Sequence, residues 1–362
     1  MRFFSLSLAF AALVGSLAFA DDANVLPQGV MRLRLIPSYS TMDKTFDKGG
    51  NSVDASVKGS LIGASGAFEF GVVNPVTVGI QWAPGYYVSS NFTSVPAGLT
   101  NTKMVLKGPD DVQIGAKFEL VGPQGFVAND GLRIALTPGV SVPLATYDPK
   151  AQFDNFAAGN EYQAQSSSTH GNYGYGLKAD ADWMPSPAFY LNVHGQLLQY
   201  LPKEEIEFGT YATNAGTYKF LATSPVLTDG VTANPYYGNA AAAKAAADSQ
   251  VPLTKTKTTY GQEYTIEVEP HFTLDLGGGN NVGASAAFNY AYNTAVTTTY
   301  NSKDTTADPV SLLMVKPTVS CLVMLGPLPI ETLVEYDYPL LGKNDSATAT
   351  LSAQVRLFYK FY

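Results

Sequence analysis

The residues of this chain that are best suited to catalysis or metal binding are three histidines and one cysteine. His194 and His271 fall on polar positions of neighbouring predicted strands, so they are either a metal-binding or catalytic pair or two neutral polar residues inside the fold. The sequence shows no zinc-site spacing, nucleophile elbow, phosphate-binding loop or dinucleotide fingerprint. The single cysteine, Cys321, cannot form an internal disulfide. The sequence therefore predicts a protein that is not an enzyme and that needs no cofactor and no metal.

A second set of residues is charged and suited to binding an anion. Its members lie on the polar sides of alternating segments near the two ends of the chain: Arg32, Arg34, Glu331, Glu335, Arg356 and Lys360. A tight hairpin near Asn344 would place Glu331 opposite Arg356. Charges inside a protein must be paired or hydrated. The set is therefore either a wall of ion pairs that braces the fold or a cationic patch that attracts a carboxylate or phosphate head group.

These residues must be positioned by strands, because apolar and polar residues alternate along much of the chain. The alternation is clearest in 111–120, 131–142 and 263–276. The alternating segments are about twice as long as the strands of a soluble sandwich, which have about 5 to 6 residues. Charged residues make up 14% of the chain, against about 25% in ordinary soluble domains. Long strands with few charges predict an all-β fold, a transmembrane antiparallel β-barrel of the outer membrane, since a closed sheet satisfies its backbone groups in lipid.

Short and long connections alternate between the predicted strands. The long links are at about 42–59, 86–109, 146–169 and 202–257, with shorter ones near 301–308 and 341–345. Outer-membrane barrels have tight periplasmic turns and longer external loops. The pattern therefore predicts twelve strands with both termini in the periplasm, and it places the charged set on neighbouring strands when the barrel closes.

The longest external loop, 202–257, is rich in aromatic residues that could collect a ligand. They are Tyr211, Tyr218, Phe220, Tyr236 and Tyr237. The alanine-rich segment 239–247 is a good helix former and predicts a short surface helix in this loop. A loop of this length on a barrel is more often functional than not.

The two ends of the chain carry targeting patterns. Residues 1–20 have a basic start, an apolar run and a small-x-small cleavage site, which together predict a secretory signal peptide. We expect a short periplasmic segment at 21–28 and the barrel at 29–362. No later segment has the length of uninterrupted apolar sequence that a transmembrane helix needs. The last strand, from Val355 to Tyr362, resembles the C-terminal signal that delivers outer-membrane barrels to their assembly machinery.

Several segments resemble the FadL-type outer-membrane transporters. The similarity is carried by 110–120 (DDVQIGAKFEL), 132–143 (LRIALTPGVSVP), the long third and fourth external loops and the aromatic C-terminal strand. The opening VLPQGVMR, at 25–32, resembles the spirochaetal branch of that family. The resemblance implies a channel for long-chain fatty acids and other hydrophobic compounds. It also implies fourteen strands, an N-terminal plug and a sideways exit at a kink in the third strand.

Three features of this chain bear on that resemblance. Pro84 and Gly85 lie at the end of the third predicted strand, where they either kink it and form a lateral gate or end it at the rim. Our count is twelve strands, although 204–223 could supply two more. The segment 21–28 is too short to fill a lumen, so we expect a more open passage than the family has.

The sequence as a whole predicts passive uptake of hydrophobic molecules, with long-chain fatty acids as the ligand and outer-membrane lipid as the surroundings. The net charge of −8 argues against a nucleic-acid partner. Two alternatives stay open. The mixed-charge lumen is also typical of a general porin for small hydrophilic solutes, and the long loops are also typical of a surface-exposed adhesin.

Overall fold

The computed structural model describes residues 22–92, 103–108, 111–144, 148–157, 162–164, 171–326 and 328–361. The predicted signal peptide at 1–20 lies outside these ranges, as do parts of the connections predicted at 86–109 and 146–169. Within the described ranges, no helix is both long and apolar enough to cross a membrane.

The described residues form eighteen strands and three helices. In chain order the strands are β1 (Val30–Phe46), β2 (Ser52–Val73), β3 (Val76–Phe92), β4 (Lys103–Gly108), β5 (Val112–Val121), β6 (Leu132–Val142), β7 (Tyr162–Ala164), β8 (Gly174–Ser186), β9 (Phe189–Tyr200), β10 (Lys203–Glu205), β11 (Thr256–Thr259), β12 (Gln262–Gly277), β13 (Asn280–Asn293), β14 (Thr297–Tyr300), β15 (Lys303–Thr306), β16 (Val310–Leu325), β17 (Leu328–Lys343) and β18 (Asp345–Lys360). The helices are α1 (Pro149–Ala157), α2 (Phe208–Thr223) and α3 (Ala240–Gln250).

Twelve of the described strands close into an antiparallel barrel. Their order around the ring is β1, β2, β3, β5, β6, β8, β9, β12, β13, β16, β17 and β18. The last strand pairs with the first from Val30↔Lys360 to Phe46↔Asp345, which closes the ring. The predicted twelve-strand barrel is confirmed, and the fourteen-strand alternative is wrong for the ring of described strands. Residues 204–223, the possible source of two more strands, belong mainly to the helix α2.

The barrel wall has an apolar outer face and a polar inner face, as the alternation predicted. On the outer face, Ile62, Ile266 and Val319 are 59%, 56% and 60% exposed, and lipid would cover them. The alternate positions hold buried polar groups such as Lys178 and Asp180. This arrangement lets the strands pair all around the ring while only apolar side chains meet hydrocarbon.

The connections follow the predicted order, with corrections in the first two long links. In the link predicted at 86–109, β3 continues to Phe92 and β4 comprises Lys103–Gly108. Short turns join β2 to β3, β5 to β6, β8 to β9, β12 to β13 and β16 to β17, where short links were expected. The first loop was predicted at 42–59 but comprises only 47–51, because β1 and β2 continue on both sides of it. Most side chains of 51–56 are exposed. Val53 and Ala55 do alternate with polar residues there, but small and polar residues dominate the segment, so its sequence indicated a loop.

The external connections fold into a structure that we call the cap, which contains a four-stranded sheet and a pair of helices. A separate four-stranded sheet is formed by β10, β11, β14 and β15. In the predicted loop 202–257, α2 packs against α3, whose Ala243 and Ala247 are fully buried. The Asn214 amide of α2 donates to Asp248 at 3.0 Å and to the Val251 carbonyl at 2.9 Å. The helix expected at 239–247 is confirmed as α3, and the loop around it is an ordered structure.

Glu207 makes the stability of the cap depend on pH. Burial raises the pKa of Glu207 to about 7, and the neighbouring Glu205 carboxylate adds to the rise. Glu207 precedes α2 as its N-cap residue and its side chain makes no capping hydrogen bond. Because the folded cap favours the protonated form, its stability is greatest below the ordinary glutamate pKa and falls as the pH rises through about 7.

We therefore expect hydrogen exchange in 208–223, corrected for intrinsic rates, to be slower at pH 5 than at pH 7.5. The variant Glu207→Gln should remove most of this difference, because its side chain does not ionise. An unchanged pH dependence in Glu207→Gln would assign the effect to another group.

Candidate functional site in the barrel lumen

The arginines of the first strand are neutralised by a carboxylate that was not part of the predicted charged set. Arg32 lies directly opposite Glu69 in the ladder between β1 and β2. The Arg32 Nε donates to Glu69 Oε2, and the Arg34 Nε lies 3.6 Å from the same oxygen. Glu69 is fully buried and both arginines are nearly so. The three side chains form a lumenal ion cluster, and its existence was visible in the sequence only as a lone acidic residue between two apolar ones.

The other members of the predicted set lie on the last two strands. The register places Glu331 opposite Arg356, as the hairpin near Asn344 predicted, and the Arg356 Nη1 lies 3.1 Å from Glu331 Oε2. Glu335 accepts a hydrogen bond from the Thr318 hydroxyl at 3.2 Å. Lys360 is exposed at the periplasmic end of β18. The structure thus divides the predicted set into a buried pair of arginines on Glu69, a partly exposed Glu331–Arg356 pair and an exposed lysine.

The segment that precedes β1 enters the lumen and packs against the wall. The Ala23 N–H donates to Asp182 at 3.1 Å and the Leu26 N–H to Thr77 at 2.8 Å. Lys117 Nζ lies 3.6 Å from the Asp22 carboxylate. Ala23 is fully buried. The segment therefore occupies one side of the lumen, because an extended chain of a few residues spans the space between β3, β5 and β8. It leaves the other side unfilled, in agreement with its short length.

A glycine on β2 makes room for this N-terminal segment. A Cβ added at Gly71 would overlap the carbonyl oxygens of Leu26 and Pro27. The Gly29 N–H donates to the Gly71 carbonyl at 2.9 Å, so the two backbones touch at this point. Only glycine permits so close an approach, and no periodic pattern in the sequence marks it.

A row of polar side chains crosses the opposite wall of the lumen. At its centre, Glu267 accepts from Asn289 at 2.7 Å and from Lys316 at 3.0 Å. His194 Nδ1 lies 3.6 Å from Glu267 as well. His271 instead stacks on Tyr190, with ring centroids 4.1 Å apart. The two histidines therefore have separate partners, and the described residues contain no group of three or more side chains arranged to hold a metal ion.

A cavity of about 540 Å³ opens beside this row, near the turns that join β12 to β13 and β16 to β17. Five carboxylates line it, from Asp22, Glu267, Glu269, Glu331 and Glu335. Arg356 and His271 are its basic lining residues, and Tyr190 and Phe358 are its aromatic ones. Hydroxyl groups of β13 and β16 complete the wall. The lumen is thus filled by the N-terminal segment on one side and is open and acidic on the other.

The wall is irregular where Pro84 and Gly85 were predicted to kink or end the third strand. The strand β3 does not end there but continues to Phe92. Its ladder with β5 stops at Gln81↔Gln113, and the next pairing on that side, with β4, starts at Tyr86. On the other side, the register with β2 shifts by one residue between 82 and 85. The prediction that the strand ends at the rim is wrong, and a bulge lies at this position.

The aromatic residues of the external loop do not form one described cluster. Tyr211 of α2 stacks on Phe153 of α1, with ring centroids 6.0 Å apart. Tyr218, Phe220 and Tyr236 are partly buried, whereas Tyr237 is 57% exposed. The cap thus carries aromatic surface, but the described residues do not gather it into a single groove.

The lumenal ion cluster on Glu69 makes a prediction about stability. Glu69→Gln removes the carboxylate that two buried guanidinium groups share and should destabilise the barrel by about 3 to 5 kcal/mol. The matched change Glu331→Gln breaks a pair whose side chains are 16% and 22% exposed and should cost less than about 1 kcal/mol. Urea unfolding in lipid vesicles, followed by the fluorescence of Trp82 and Trp183, measures both. Equal losses of unfolding free energy in the two variants would show that the buried cluster on Glu69 stabilises the barrel no more than the Glu331–Arg356 pair does.

The N-terminal segment makes a prediction about permeability. A chain that begins at Pro27 lacks the residues held by Asp182, Lys117 and Thr77, and should let sugars into liposomes faster than a chain that begins at Asp21. Gly71→Ala in the longer chain should act in the same direction, because the added Cβ displaces the segment. Heat-dependent gel migration verifies that each barrel is folded. Equal swelling rates in folded barrels would show that the segment does not obstruct the lumen.

Comparison with known proteins supports the fold. No family model matches the chain, and none of the curated proteins matches it. Among solved structures, an outer-membrane channel from Pseudomonas putida F1 superposes with a TM-score of 0.56 at 10% identity, covering 94% of this chain and 99% of that one. A FadL homologue from Pseudomonas aeruginosa gives 0.36 at 11% identity, with 97% of each chain covered. The toluene transporter TbuX from Ralstonia pickettii gives 0.38 at 8% identity, covering 93% and 90%. The two lower scores carry no weight, and the first shows that this chain has the fold of an outer-membrane β-barrel.

Proposed function

We propose that this barrel is a passive outer-membrane channel for small hydrophobic molecules, with long-chain fatty acids as the first class to test. The observation that carries the proposal is the irregular wall at 82–85. The ladder of β3 with β5 ends at Gln81, and its ladder with β4 begins at Tyr86. Among the described residues, 82–85 therefore have no ladder partner on this side of β3. A wall without a ladder gives a sideways route between lumen and membrane.

The segment just before β5 is bonded to the segment that follows β6. The Asp111 carboxylate, just before β5, accepts from the Leu144 N–H at 2.9 Å, which directs the outer end of β5 toward β6. On the outer face next to the break, Ile80 and Trp82 are large, apolar and exposed. An apolar molecule that passes the break therefore meets an apolar surface, and transfer of apolar area from water to hydrocarbon is favourable by about 25 cal/mol per Å².

The periplasmic half of the lumen favours a sideways exit over a straight one. An apolar molecule that continued along the axis would meet the N-terminal segment and the buried charges of Lys117 and Asp182 on one side, and the acidic cavity on the other. Displacing the water and the polar partners of such groups is costly. In this proposal the external cap, with the aromatic surface of α2, collects the ligand, and the break in β3 releases it into the membrane.

The cationic patch is the weaker part of the fatty-acid hypothesis. Arg32 and Arg34 share Glu69, and Arg356 contacts Glu331, so a carboxylate head group would have to compete with existing ion pairs. A braced wall is the role that these contacts support best. Fatty acid thus stands as a proposed substrate because of its hydrophobic chain and not because of a head-group site.

A general porin for hydrophilic solutes is the second candidate, and the acidic 540 Å³ cavity favours it. The adhesin hypothesis has less support, since no described feature of the cap indicates a partner. We further propose that the signal peptide at 1–20 and the C-terminal strand direct the chain to the outer membrane and its assembly machinery.

Uptake by cells that lack another hydrophobic-compound channel tests the proposal. The double variant Pro84→Val and Gly85→Val supplies a ladder donor and two residues that favour strands, so it should close the wall and lower the initial rate of labelled oleate uptake several-fold. Pro339→Val is the control, because Pro339 also lies at a register shift but on β17. Free passage of sugars without uptake of oleate would favour the porin, and unchanged uptake in the double variant would reject the lateral route.

A further inference from the structure

Three glycines form a row across the lumenal face of the wall, on the same side of the barrel as the break in β3. Gly79 of β3 lies opposite Gly115 of β5, and Gly115 lies opposite Gly139 of β6. Residues two places away along these strands, such as Gln113 and Thr137, are buried on the lumenal face, so the glycines face the lumen too. A glycine sends no side chain inward. The wall therefore has a recess here, which spans three strands and is about 10 Å wide.

Larger side chains close the two ends of this row. At one end, Gly79 lies opposite Glu69 of the lumenal ion cluster. At the other end, Gly139 lies opposite Gly176, where a side-chain atom of Leu198 lies 2.5 Å from the position that a Cβ would take. The recess is therefore a bounded site on the wall and not a groove that runs around the barrel.

Polar atoms without a partner flank the recess. Gln113 Oε1 and Ser141 Oγ lie on its external side, and Thr137 Oγ1 lies on its periplasmic side. These three residues are 5%, 6% and 0% exposed, and none of the three atoms has a hydrogen-bond partner among the described residues. Proteins rarely leave buried polar atoms unpaired. A molecule in the recess would supply the missing partners.

The cations beside the recess are already compensated. Lys117 Nζ lies 3.6 Å from the Asp22 carboxylate, and Lys178 Nζ lies 3.2 Å from that of Asp180. Because both lysines are almost fully buried, an anionic head group would have to compete with these carboxylates for them. The recess itself offers neutral amide and hydroxyl groups. Its chemistry thus favours an uncharged head group over a carboxylate.

The recess adjoins the break in β3 on its periplasmic side. Gln81 and Gln113 form the last rung of the ladder between β3 and β5, and Gly79 lies two residues, about 7 Å, before that rung. On the outer face at the same level, Ile80 and Trp82 are apolar and exposed. A ligand with its head group in the recess can therefore extend an apolar chain through the break toward lipid.

We infer that this recess binds the uncharged, hydrogen-bonding head group of an amphipathic ligand while the apolar chain of the ligand leaves through the break. A long-chain alcohol is the simplest ligand of this class. Gln113 and Ser141 lie opposite each other, so one hydroxyl group can donate to the amide oxygen and accept from the serine hydroxyl. The inference rests on the proposed lateral route, and it narrows the substrate to hydrophobic molecules that carry such a head group.

Uptake of dodecanol and of dodecane, which differ only in the hydroxyl group, tests the inference in cells that lack another hydrophobic-compound channel. Initial rates are corrected for uptake by cells without the barrel. Gln113→Leu and Ser141→Ala should each lower the rate for labelled dodecanol several-fold and leave the rate for dodecane unchanged. Gln196→Leu is the matched control, because Gln196 is also a buried lumenal glutamine but lies on β9. Heat-dependent gel migration verifies that each variant is folded.

The outcomes separate this inference from the proposed function. Equal losses for dodecanol and dodecane, or no loss in either folded variant, overturn the head-group site without affecting the lateral route. Uptake of dodecanoate at pH 8 that depends on Gln113 as strongly as that of dodecanol overturns the preference for an uncharged head group. If the native barrel takes up neither compound, the proposed function fails. Binding of labelled decanol to the barrel in lipid nanodiscs then decides, and absence of binding that depends on Gln113 overturns the inference as well.

Discussion

Closure of β1 onto β18 is the constraint on which the rest of the structure depends. In hydrocarbon a strand cannot leave its N–H and C=O groups unpaired, so the sheet must meet itself. In a ring whose strands are all antiparallel, this requirement determines the even number of strands. It also determines which polar residues share the lumen, because residues from the two ends of the chain become neighbours only when the ring closes.

A second constraint is that the buried charges in the lumen must be compensated by opposite charges or hydrogen bonds. Every second residue of each strand points inward, and several of these residues are ionic. The buried cluster of Arg32, Arg34 and Glu69 is compensated from within the wall, whereas Lys117 and Asp182 take part of their partners from the N-terminal segment. The segment thus does more than occupy space. Gly71 permits it to lie close enough to the wall to make these contacts.

Local patterns predicted those parts of the structure that depend on short-range sequence. Alternation marked the barrel strands, proline and glycine marked the periplasmic turns, and a tight hairpin at Asn344 was enough to place Glu331 opposite Arg356. The pairing of Arg32 with Glu69 was not predicted, because the register of β1 and β2 depends on the position of the loop between them. The predicted loop, 42–59, was too long, so it gave neither the ends of the two strands nor their register. The N-terminal segment was missed because it has no period, and its position depends on contacts with three distant strands.

The proposed lateral route follows from an asymmetry of the barrel. The wall changes from strands of 17 to 22 residues in β1 to β3 to strands of 10 and 11 residues in β5 and β6, and the break in the ladder lies where the long strands meet the short ones. The N-terminal segment packs against this same side, nearer the periplasm. The opposite side keeps regular ladders through β12, β13 and β16 over most of their length, and there the lumen stays open and acidic. An apolar molecule is thus favoured to leave where the ladder is interrupted, because the regular ladders of the opposite side leave no gap between the lumen and the lipid.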